Sequence, residues 1–397
     1  MPTHVLQGSL VLTDRVVRGG QVVVEGGCIQ EIVTEGPRRQ PTDDYGEAFI
    51  LPGLIDLHVH GIAGADVMDC SREALALMAR RFAAHGVTGF LPTTVTQSLD
   101  LTRRAMVTIR DSMDAPGDGG ARVLGIHLEG PFVNRAFKGM QNEAYIQPPD
   151  EDTARDLIAQ APGRLSRVSL APELPGADRV IRLLRAVGIY VSIAHTGATY
   201  EQVLDAIDLG ATQVTHCFNA MTGLHHRRPG VAGAAMLRDE LYAELIADGV
   251  HVHPAVMRLL IRLKGRERVM LVTDSMSAAD MPDGRYTFGG HDVTVRDGVA
   301  RLGDGTLASS TLTMDAAVRN LVQLCQAPLV DAVYMGSTTP ADAIGLGATK
   351  GKLVAGYDAD VAVLDPALQP VATWVEGRQC WHRDAPIDPS SSAGLTG

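Results

Sequence analysis

The 397-residue sequence is poor in aromatic residues and in positive charge. Aromatic side chains make up only 4% of the chain, so the stacking surfaces that bind single-stranded nucleic acid are not expected. The formal net charge of −11 argues against nucleic acid or an anionic membrane as a partner, because both repel a protein of this sign. A small anionic substrate remains compatible with this charge, since one or two local cations are enough to hold it.

The sequence also lacks paired cysteines and long apolar runs. Its five cysteines are scattered, and no two of them form a CxxC pair. This pattern is typical of a reducing compartment rather than of a disulfide framework. There is no run of ~18 apolar residues, and the first residues show no apolar signal segment. We therefore expect a cytoplasmic protein that does not associate with membranes.

The middle of the chain alternates between strand-like and helix-like segments. Helices are predicted between most strands, for example at Ser71–His85, Asp178–Val187 and Pro254–Lys264. The pattern indicates an α/β protein whose residues 51–350 form a (β/α)8 TIM barrel. A doubly wound open sheet is the alternative, but it would carry a glycine-rich phosphate loop after an early strand, and the sequence has none. The predicted barrel strands are Leu54–His60, Val87–Pro92, Val123–Glu129, Arg167–Ala171, Tyr190–His195, Gln213–His216, Ala243–Asp248 and Val269–Asp274.

Both ends of the chain contain short strand-like segments separated by turns. Neither group is large enough to bury a core alone. We expect residues 1–50 and 351–397 to form together one small composite β-sandwich domain. The predicted strands are His4–Leu12, Gln21–Val24, Cys28–Thr34, Asp360–Leu364, Pro370–Val375 and Arg378–Trp381.

The segment Leu51–Gly61, LPGLIDLHVHG, carries the first sign of chemistry. His58 and His60 are two residues apart, so in a strand both side chains project from one face. Two imidazoles on one face, at the C-terminal end of a buried parallel strand, form half of a metal site. Taken alone, the pair is equally compatible with two hydrogen-bonded core histidines.

Four further predicted strands end in a metal ligand or a titratable group. Because the C-terminal ends of all barrel strands converge on one mouth, we expect these residues to share one space with His58 and His60. Histidine nitrogens and carboxylate oxygens suit a divalent metal, zinc being favoured and ferrous iron the alternative. The four additional candidates are Glu129, His195, His216 and Asp274.

The six candidates are enough to hold one or two metal ions per subunit. His58, His60 and Asp274 would hold one ion, and His195 and His216 the other. Glu129 would bridge the two. A bound divalent ion lowers the pKa of water toward ~7. Asp274 would then take a proton from that water and return it to a leaving group.

Several segments resemble the amidohydrolase superfamily, namely PGLIDLHVHG, HLEGPF, HTGA, THCFNAM and VTD. The segments HLEGPFVN, LAPE, THCFNAM, IADGVH and LASSTLTM narrow the resemblance to the N-acetylglucosamine-6-phosphate deacetylase family, over nearly the whole chain. This resemblance implies a metal-dependent barrel with a flanking β-sandwich. It also implies hydrolysis of the acetamido group of a small phosphorylated amino sugar, giving glucosamine 6-phosphate and acetate.

The resemblance also implies roles for individual residues. Glu129, His195 and His216 correspond to the family's metal ligands, and Asp274 corresponds to its catalytic acid and base. Substrate-binding positions correspond to Met140, Gln141, Asn219, Ala220, Arg227, His251, Leu307, Ala308 and Ser309.

Among these positions, Arg227 and His251 match the family's phosphate contacts, whereas Leu307–Ser309 matches a segment at the acetyl end. The family's arginine acts across a dimer interface, which implies a homodimer here in which Arg227 reaches the neighbouring subunit's site. Arginine is a natural partner for phosphate. The competing interpretation of Arg227 is a residue of a solvated surface loop.

Two features depart from the family pattern. Some members lack the HxH pair and keep a single metal, whereas His58 and His60 are intact here, which favours two metal sites. Many relatives have a histidine where Gln141 stands, and that histidine is thought to polarise the substrate carbonyl. Glutamine can donate a hydrogen bond but carries no charge, so the acyl group or the sugar could differ. His127 is expected to support the metal ligands from behind.

Two other functions remain open at this stage. One is a related hydrolase acting on a different N-acyl amino sugar or an N-acyl amino acid. The other is a catalytically inactive barrel that serves as a scaffold, although the complete histidine and carboxylate set argues against it.

Overall fold

Eight parallel strands form a barrel in the computed structural model of the chain, which describes residues 3–113 and 119–385. Each strand pairs with the next along the sequence. The ring closes between the last and first strands, where the Asp274 N–H donates to the His58 carbonyl (2.8 Å) and the His60 N–H donates to the Ser275 carbonyl (2.9 Å). The predicted (β/α)8 barrel is confirmed. Its strands are Leu54–Val59, Val87–Thr94, Ile126–Glu129, Leu165–Leu170, Tyr190–Ile193, Gln213–Val214, Tyr242–Ile246 and Val269–Val272, and a short strand, Arg122–Val123, pairs beside the second of them.

Helices surround the barrel and pack their apolar faces on it. Helix Arg72–Ala83 is typical: the Ser71 hydroxyl accepts a hydrogen bond from the Ala74 N–H, which fixes the N-terminus, and Leu75, Met78 and Phe82 are buried. In the described parts of the chain, no helix is long and apolar enough to cross a membrane. The α-helices are Arg72–Ala83, Leu99–Met113, Glu151–Gln160, Ala177–Ala186, Tyr200–Asp208, Gly230–Leu237, Pro254–Lys264, Met314–Cys325, Leu329–Gly336 and Thr338–Ala343, and the 3-10 helices are Val67–Asp69, Arg135–Phe137 and Glu143–Tyr145.

Strands from both ends of the chain form a single seven-stranded sheet, which we call the terminal sheet. Strand Asp43–Pro52 pairs in parallel with His4–Val11 on one side and antiparallel with Val361–Leu364 on the other. The order across the sheet is Arg378–His382, Pro370–Val375, Val361–Leu364, Asp43–Pro52, His4–Val11, Val16–Glu25 and Cys28–Val33.

The terminal sheet differs from the expected sandwich in being one continuous sheet. The reason is Asp43–Pro52, a strand that the sequence did not predict, which hydrogen-bonds to both halves. The sheet is curled, and the Ile29 N–H donates to the Tyr357 carbonyl (2.8 Å). It encloses an apolar cluster that includes Trp374. Residues 1–2 and 386–397 of the predicted terminal domain lie outside the described residues.

A small antiparallel sheet, which we call the insert sheet, follows the eighth barrel strand. Its strands are Gly284–Phe288, His291–Arg296 and Val299–Arg301. Phe288 packs in an apolar cluster with Met140 and Met276, which brings the insert sheet to the barrel mouth. A two-stranded ribbon, Gly61–Ile62 with Ala65–Asp66, follows the first barrel strand.

Candidate metal centre and substrate cavity

The six predicted metal ligands meet at the C-terminal mouth of the barrel, and all six are buried. They form two groups, and within each group the possible ligand atoms lie within 4.8 Å of one another. Residues that are distant in the sequence thus share one centre, because each stands at or just after the end of a barrel strand. The first group is His58, His60 and Asp274, and the second group is Glu129, His195 and His216.

The first group has the spacing of a metal site. His58 Nε2 and His60 Nε2 are 3.3 Å apart, and His60 Nε2 is 3.2 Å from Asp274 Oδ1. Ligand atoms around a tetrahedral zinc ion at ~2.0–2.1 Å would be separated by about 3.3 Å. The three ligand atoms are therefore already at the separation that a first-row divalent ion requires.

The second group has the same spacing, and Glu129 connects it to the first. His195 Nε2 and His216 Nε2 are 3.2 Å apart, and each lies 3.3 Å from Glu129 Oε1. The other oxygen, Glu129 Oε2, lies 3.5 Å from His60 Nε2 and accepts a hydrogen bond of 2.7 Å from Gln141 Nε2. The Glu129 carboxylate is therefore placed between the two groups, as a bridging ligand would be.

Three of the four histidine rings are held so that Nε2 faces the centre. Each Nδ1–H donates to an oxygen outside the centre, which leaves a lone pair on Nε2. The Nε2 atoms of neighbouring rings lie 3.2–3.3 Å apart, a separation at which two nitrogen lone pairs can bind one cation between them. The donor set therefore fits divalent metal. The acceptors, each 3.0 Å away, are Glu244 Oε2 for His58, the Thr93 carbonyl for His60 and the Phe137 carbonyl for His195.

The electrostatics of the centre favour positive charge. Burial would raise the pKa of the Asp274 carboxyl, but the neighbouring His58 and His60 lower it to about 2. Burial would lower the pKa of His58, but the carboxylates of Asp274, Glu244 and Glu129 raise it well above its ordinary value. Carboxylates that favour a charged histidine at this position also favour a bound cation.

The backbone is left-handed at three of the ligands. The φ angles are +45° at His195, +30° at His216 and +49° at Asp274. Such angles cost a non-glycine residue of order 1–3 kcal/mol, so the surrounding structure must hold these three residues in place. At each of these strand ends the turn directs the side chain into the mouth.

A cavity of about 300 Å³ adjoins the metal centre. Ala308 does not line it but is buried directly behind, in the apolar cluster with Phe288. Seven of the nine predicted substrate residues line the cavity: Met140, Gln141, Asn219, Ala220, His251, Leu307 and Ser309.

Arg227 is the predicted substrate residue that the single chain does not bring to this cavity. Its side chain is exposed, and its Nη1 lies 2.7 Å from His226 Nε2. It lines a separate cavity of about 520 Å³ together with Phe137 and Thr199. Within one chain, Arg227 therefore does not face the cavity at the metal centre.

The hydrogen bonds of three polar residues near the centre show where each of them acts. His127 does not line the cavity, because its Nε2 pairs with Ser169 Oγ (2.7 Å) and its Nδ1 accepts from Arg167 Nη2 (3.0 Å). Glu173 accepts hydrogen bonds from the Gly197 N–H and Asn134 Nδ2 and also stays outside the cavity. Gln141 is buried and lines the cavity, and its Nε2 donates to Glu129 Oε2 (2.7 Å).

Sequence reasoning missed the insert sheet and the loop after it, which contribute Phe288, Arg301, Gly305 and Thr306 to the cavity wall. A signal was present, because the turn dipeptides Gly289–Gly290 and Asp297–Gly298 flank an alternating segment. It also missed Glu244 and Arg167, whose signal is a single charged residue inside a barrel strand.

Comparison with known proteins supports the resemblance found in the sequence. The sequence model of the amidohydrolase family matches residues 49–380. N-acetylglucosamine-6-phosphate deacetylase of Vibrio furnissii is 40% identical over 391 residues, covering 98% of this chain and 96% of that protein. N-acetylgalactosamine-6-phosphate deacetylase of Escherichia coli O157:H7 is also 40% identical, over 377 residues that cover 95% of this chain and 99% of that protein.

Solved structures give the same result. A mutant of N-acetyl-D-glucosamine-6-phosphate deacetylase from Mycobacterium smegmatis, in complex with N-acetyl-D-glucosamine-6-phosphate, superposes with a TM-score of 0.91 at 32% identity. The match covers 96% of this chain and all of that one.

Proposed function

Because the chain belongs to the amidohydrolase family, we propose that it hydrolyses the acetamido group of N-acetyl-D-glucosamine 6-phosphate to give D-glucosamine 6-phosphate and acetate. The proposal is carried by one observation: the predicted sugar-binding residues and the predicted metal ligands line the same cavity. Seven residues that match sugar-binding positions line the cavity that also exposes the ligands His60, Glu129 and Asp274. A phosphorylated N-acyl sugar bound there would have its amide beside the metal centre.

The metal requirement follows from the donor set. The two groups built on His58 and on His195 would hold one or two divalent ions per subunit, with zinc favoured and ferrous iron the alternative. A bound ion would lower the pKa of water and polarise the amide carbonyl.

Asp274 is the residue that we expect to move protons. Its Oδ1 faces the centre, 3.2 Å from His60 Nε2, and also accepts a hydrogen bond of 3.2 Å from Ser309 Oγ. Amide hydrolysis requires that the attacking water lose a proton and that the departing amine gain one. A single carboxylate at this position can do both in sequence, and the Ser309 contact holds it in place.

The phosphate would be bound by His251 and by Arg227 of a second subunit. The His251 ring lines the cavity, and its Nδ1–H donates to Asp248 Oδ2 (2.6 Å), which fixes Nε2 as the atom available to a ligand. Arg227 does not line the substrate cavity of its own chain. Two apolar side chains before and after it in the sequence, Leu224 and Leu237, are 58% and 64% exposed. These features support a homodimer whose sites each borrow one arginine.

The proposed function is tested with a small panel of substrates. Purified protein loaded with zinc should release acetate fastest from N-acetyl-D-glucosamine 6-phosphate, and removal of metal by a chelator should abolish the reaction. The unphosphorylated sugar should react at least tenfold less efficiently, and an N-acetyl-D-amino acid should not react. Equal rates on all of these compounds, or full activity without metal, would contradict the proposal.

A second candidate substrate is N-acetyl-D-galactosamine 6-phosphate. It is favoured by the relative from Escherichia coli O157:H7, which carries that name and is as similar to this chain as the relative from Vibrio furnissii. The two sugars differ only in the orientation of one hydroxyl, so the ratio of their kcat/KM values decides between them.

The shared site is tested by mixing two impaired variants, Arg227→Ala and Asp274→Asn. If Arg227 acts in the neighbouring subunit, mixed dimers contain one site with both residues intact, and activity rises above that of either variant alone. If no activity returns although subunit exchange is verified, the arginine does not act between subunits. A cytoplasmic location is also part of the proposal, in keeping with five unpaired cysteines.

A further inference from the structure

We infer that Glu244 is a positioning residue that aligns one ligand from each metal group, and that Arg167 holds it in place. Glu244 lies inside the barrel on strand Tyr242–Ile246 and is fully buried. It does not line the cavity, so it would not contact a sugar bound there. Its contribution is therefore to the ligands themselves.

One oxygen of Glu244 contacts both groups. Oε2 accepts the Nδ1–H of His58 at 3.0 Å and the backbone N–H of His216 at 2.9 Å. The first contact fixes the ring tautomer of His58, so that Nε2 carries the lone pair. The second fixes the backbone at His216, where φ is +30°. A single carboxylate thus determines the direction of one ligand on each side of the centre.

Arg167 supplies the positive charge that compensates the buried carboxylate of Glu244. It is fully buried, its Nη2 forms an ion pair with Glu244 Oε1, and its Nη1 donates to Gln213 Oε1 at 3.0 Å. Its guanidinium also donates to His127 Nδ1 (3.0 Å), and His127 Nε2 pairs with Ser169 Oγ (2.7 Å). The Arg167 charge is left to balance the buried carboxylate of Glu244.

Position 244 requires a carboxylate, because every group that contacts the Glu244 side chain is a hydrogen-bond donor. His58, His216 and Arg167 all offer N–H groups to Glu244. A glutamine at this position has only one oxygen, so its NH2 group would face at least one of these donors. We therefore expect Glu244→Gln to disturb the metal ligands although its size is unchanged.

The experiment measures metal binding without substrate, so its outcome does not depend on the proposed deacetylation. Zinc dissociation constants of wild type and Glu244→Gln are measured by competition with a chromophoric chelator, and visible absorption is recorded after loading with cobalt(II). We expect the weaker-bound ion of the variant to lose about 10–100-fold in affinity, the usual effect of removing such a contact. The cobalt bands should shift as well.

The matched control is Asp360→Asn. It breaks another buried ion pair, between Lys350 Nζ and Asp360 Oδ2 (2.7 Å), at the terminal sheet. Its thermal midpoint should fall while its metal affinity and cobalt spectrum stay unchanged. Wild-type affinity and an unchanged cobalt spectrum in folded Glu244→Gln would overturn the inference.

If Glu244→Gln does not fold, the wild-type protein still decides the question. In zinc-loaded protein with ¹⁵N-labelled histidine, the His58 ring should carry its proton on Nδ1 and bind metal through Nε2. Its signals are assigned by their loss in His58→Asn. A proton on Nε2 would overturn the inference.

Discussion

His85 joins three parts of the molecule through two carboxylates, of which Asp315 is buried, and this predicts a specific alkaline instability. Its Nδ1 lies 2.9 Å from Asp315 Oδ1, at the start of helix Met314–Cys325, and its Nε2 lies 3.5 Å from Asp280 Oδ2, in the loop after the eighth strand. Arg81 also contacts Asp280. Burial lowers the pKa of His85, but the two aspartates outweigh it and raise the pKa to about 9.

The magnitude follows from that pKa. The rise from 6.5 to about 9 corresponds to about 3 kcal/mol of stabilisation, at ~1.4 kcal/mol for each pKa unit. Because the pKa is raised in the folded state, this stabilisation is fully present below the unfolded pKa of 6.5 and is lost as pH rises through about 9. The His85 side chain is only 18% exposed, so screening by solvent reduces the figure little.

The assay is urea unfolding of wild type and His85→Gln between pH 6 and pH 10. The difference in unfolding free energy between the two proteins should shrink by about 3 kcal/mol over that range, because only wild type loses the charged histidine. His382→Gln, at the edge of the terminal sheet, is the control and should follow wild type at every pH. If wild type and His85→Gln show the same pH dependence, His85 is not held protonated by these aspartates.

Three further predictions concern the site. Asp274→Asn should lower kcat by ~10²–10⁴-fold, the usual contribution of a general acid and base, while bound metal measured by atomic emission largely remains; near-normal kcat with metal bound would exclude Asp274 as the base. His251→Asn and Arg227→Ala should each raise KM about ten- to a hundredfold for the phosphorylated sugar and far less for the unphosphorylated one, since a lost charge-assisted contact costs roughly 1.5–3 kcal/mol; equal losses on both sugars would exclude a phosphate contact. Gln141→Leu should destabilise the metal-free protein by roughly 1–3 kcal/mol in urea unfolding, because it removes the bond to Glu129 Oε2 and leaves the Thr96 N–H unpaired; an unchanged midpoint would contradict this.

The barrel and its ligands could be predicted from the sequence because both depend on local patterns. An apolar segment that ends in a histidine or an acid, repeated in a strand and helix alternation, specifies strand ends and thus one shared mouth. The structure brings His58 and Asp274 within 3.6 Å, although they begin and end the barrel. Their roles in metal binding and proton transfer remain predictions.

The features that were not predicted depend on contacts that no local pattern contains. Strand Asp43–Pro52 begins with acidic and polar residues, and only its last two residues fall within the predicted segment Leu51–Gly61 that leads to His58. Arg227 was expected at the phosphate, but its position relative to a second subunit cannot be derived from one chain. Glu244 stands in a short apolar strand, and only the folded barrel shows that His58 and Arg167 meet it there.

The central strand of the terminal sheet also sets an order of events during synthesis. Asp43–Pro52 leads directly into the first barrel strand, yet one of its two neighbours, Val361–Leu364, is made only near the end of the chain. Until then one edge of Asp43–Pro52 has open backbone hydrogen-bonding groups, next to the strand that carries His58. The emerging chain can close its barrel once Asp274 has left the ribosome, but it cannot cover this edge. Residues translated after the barrel therefore protect a strand translated before it, and a nascent chain that stalls between these two points would present an edge suited to pairing with another copy.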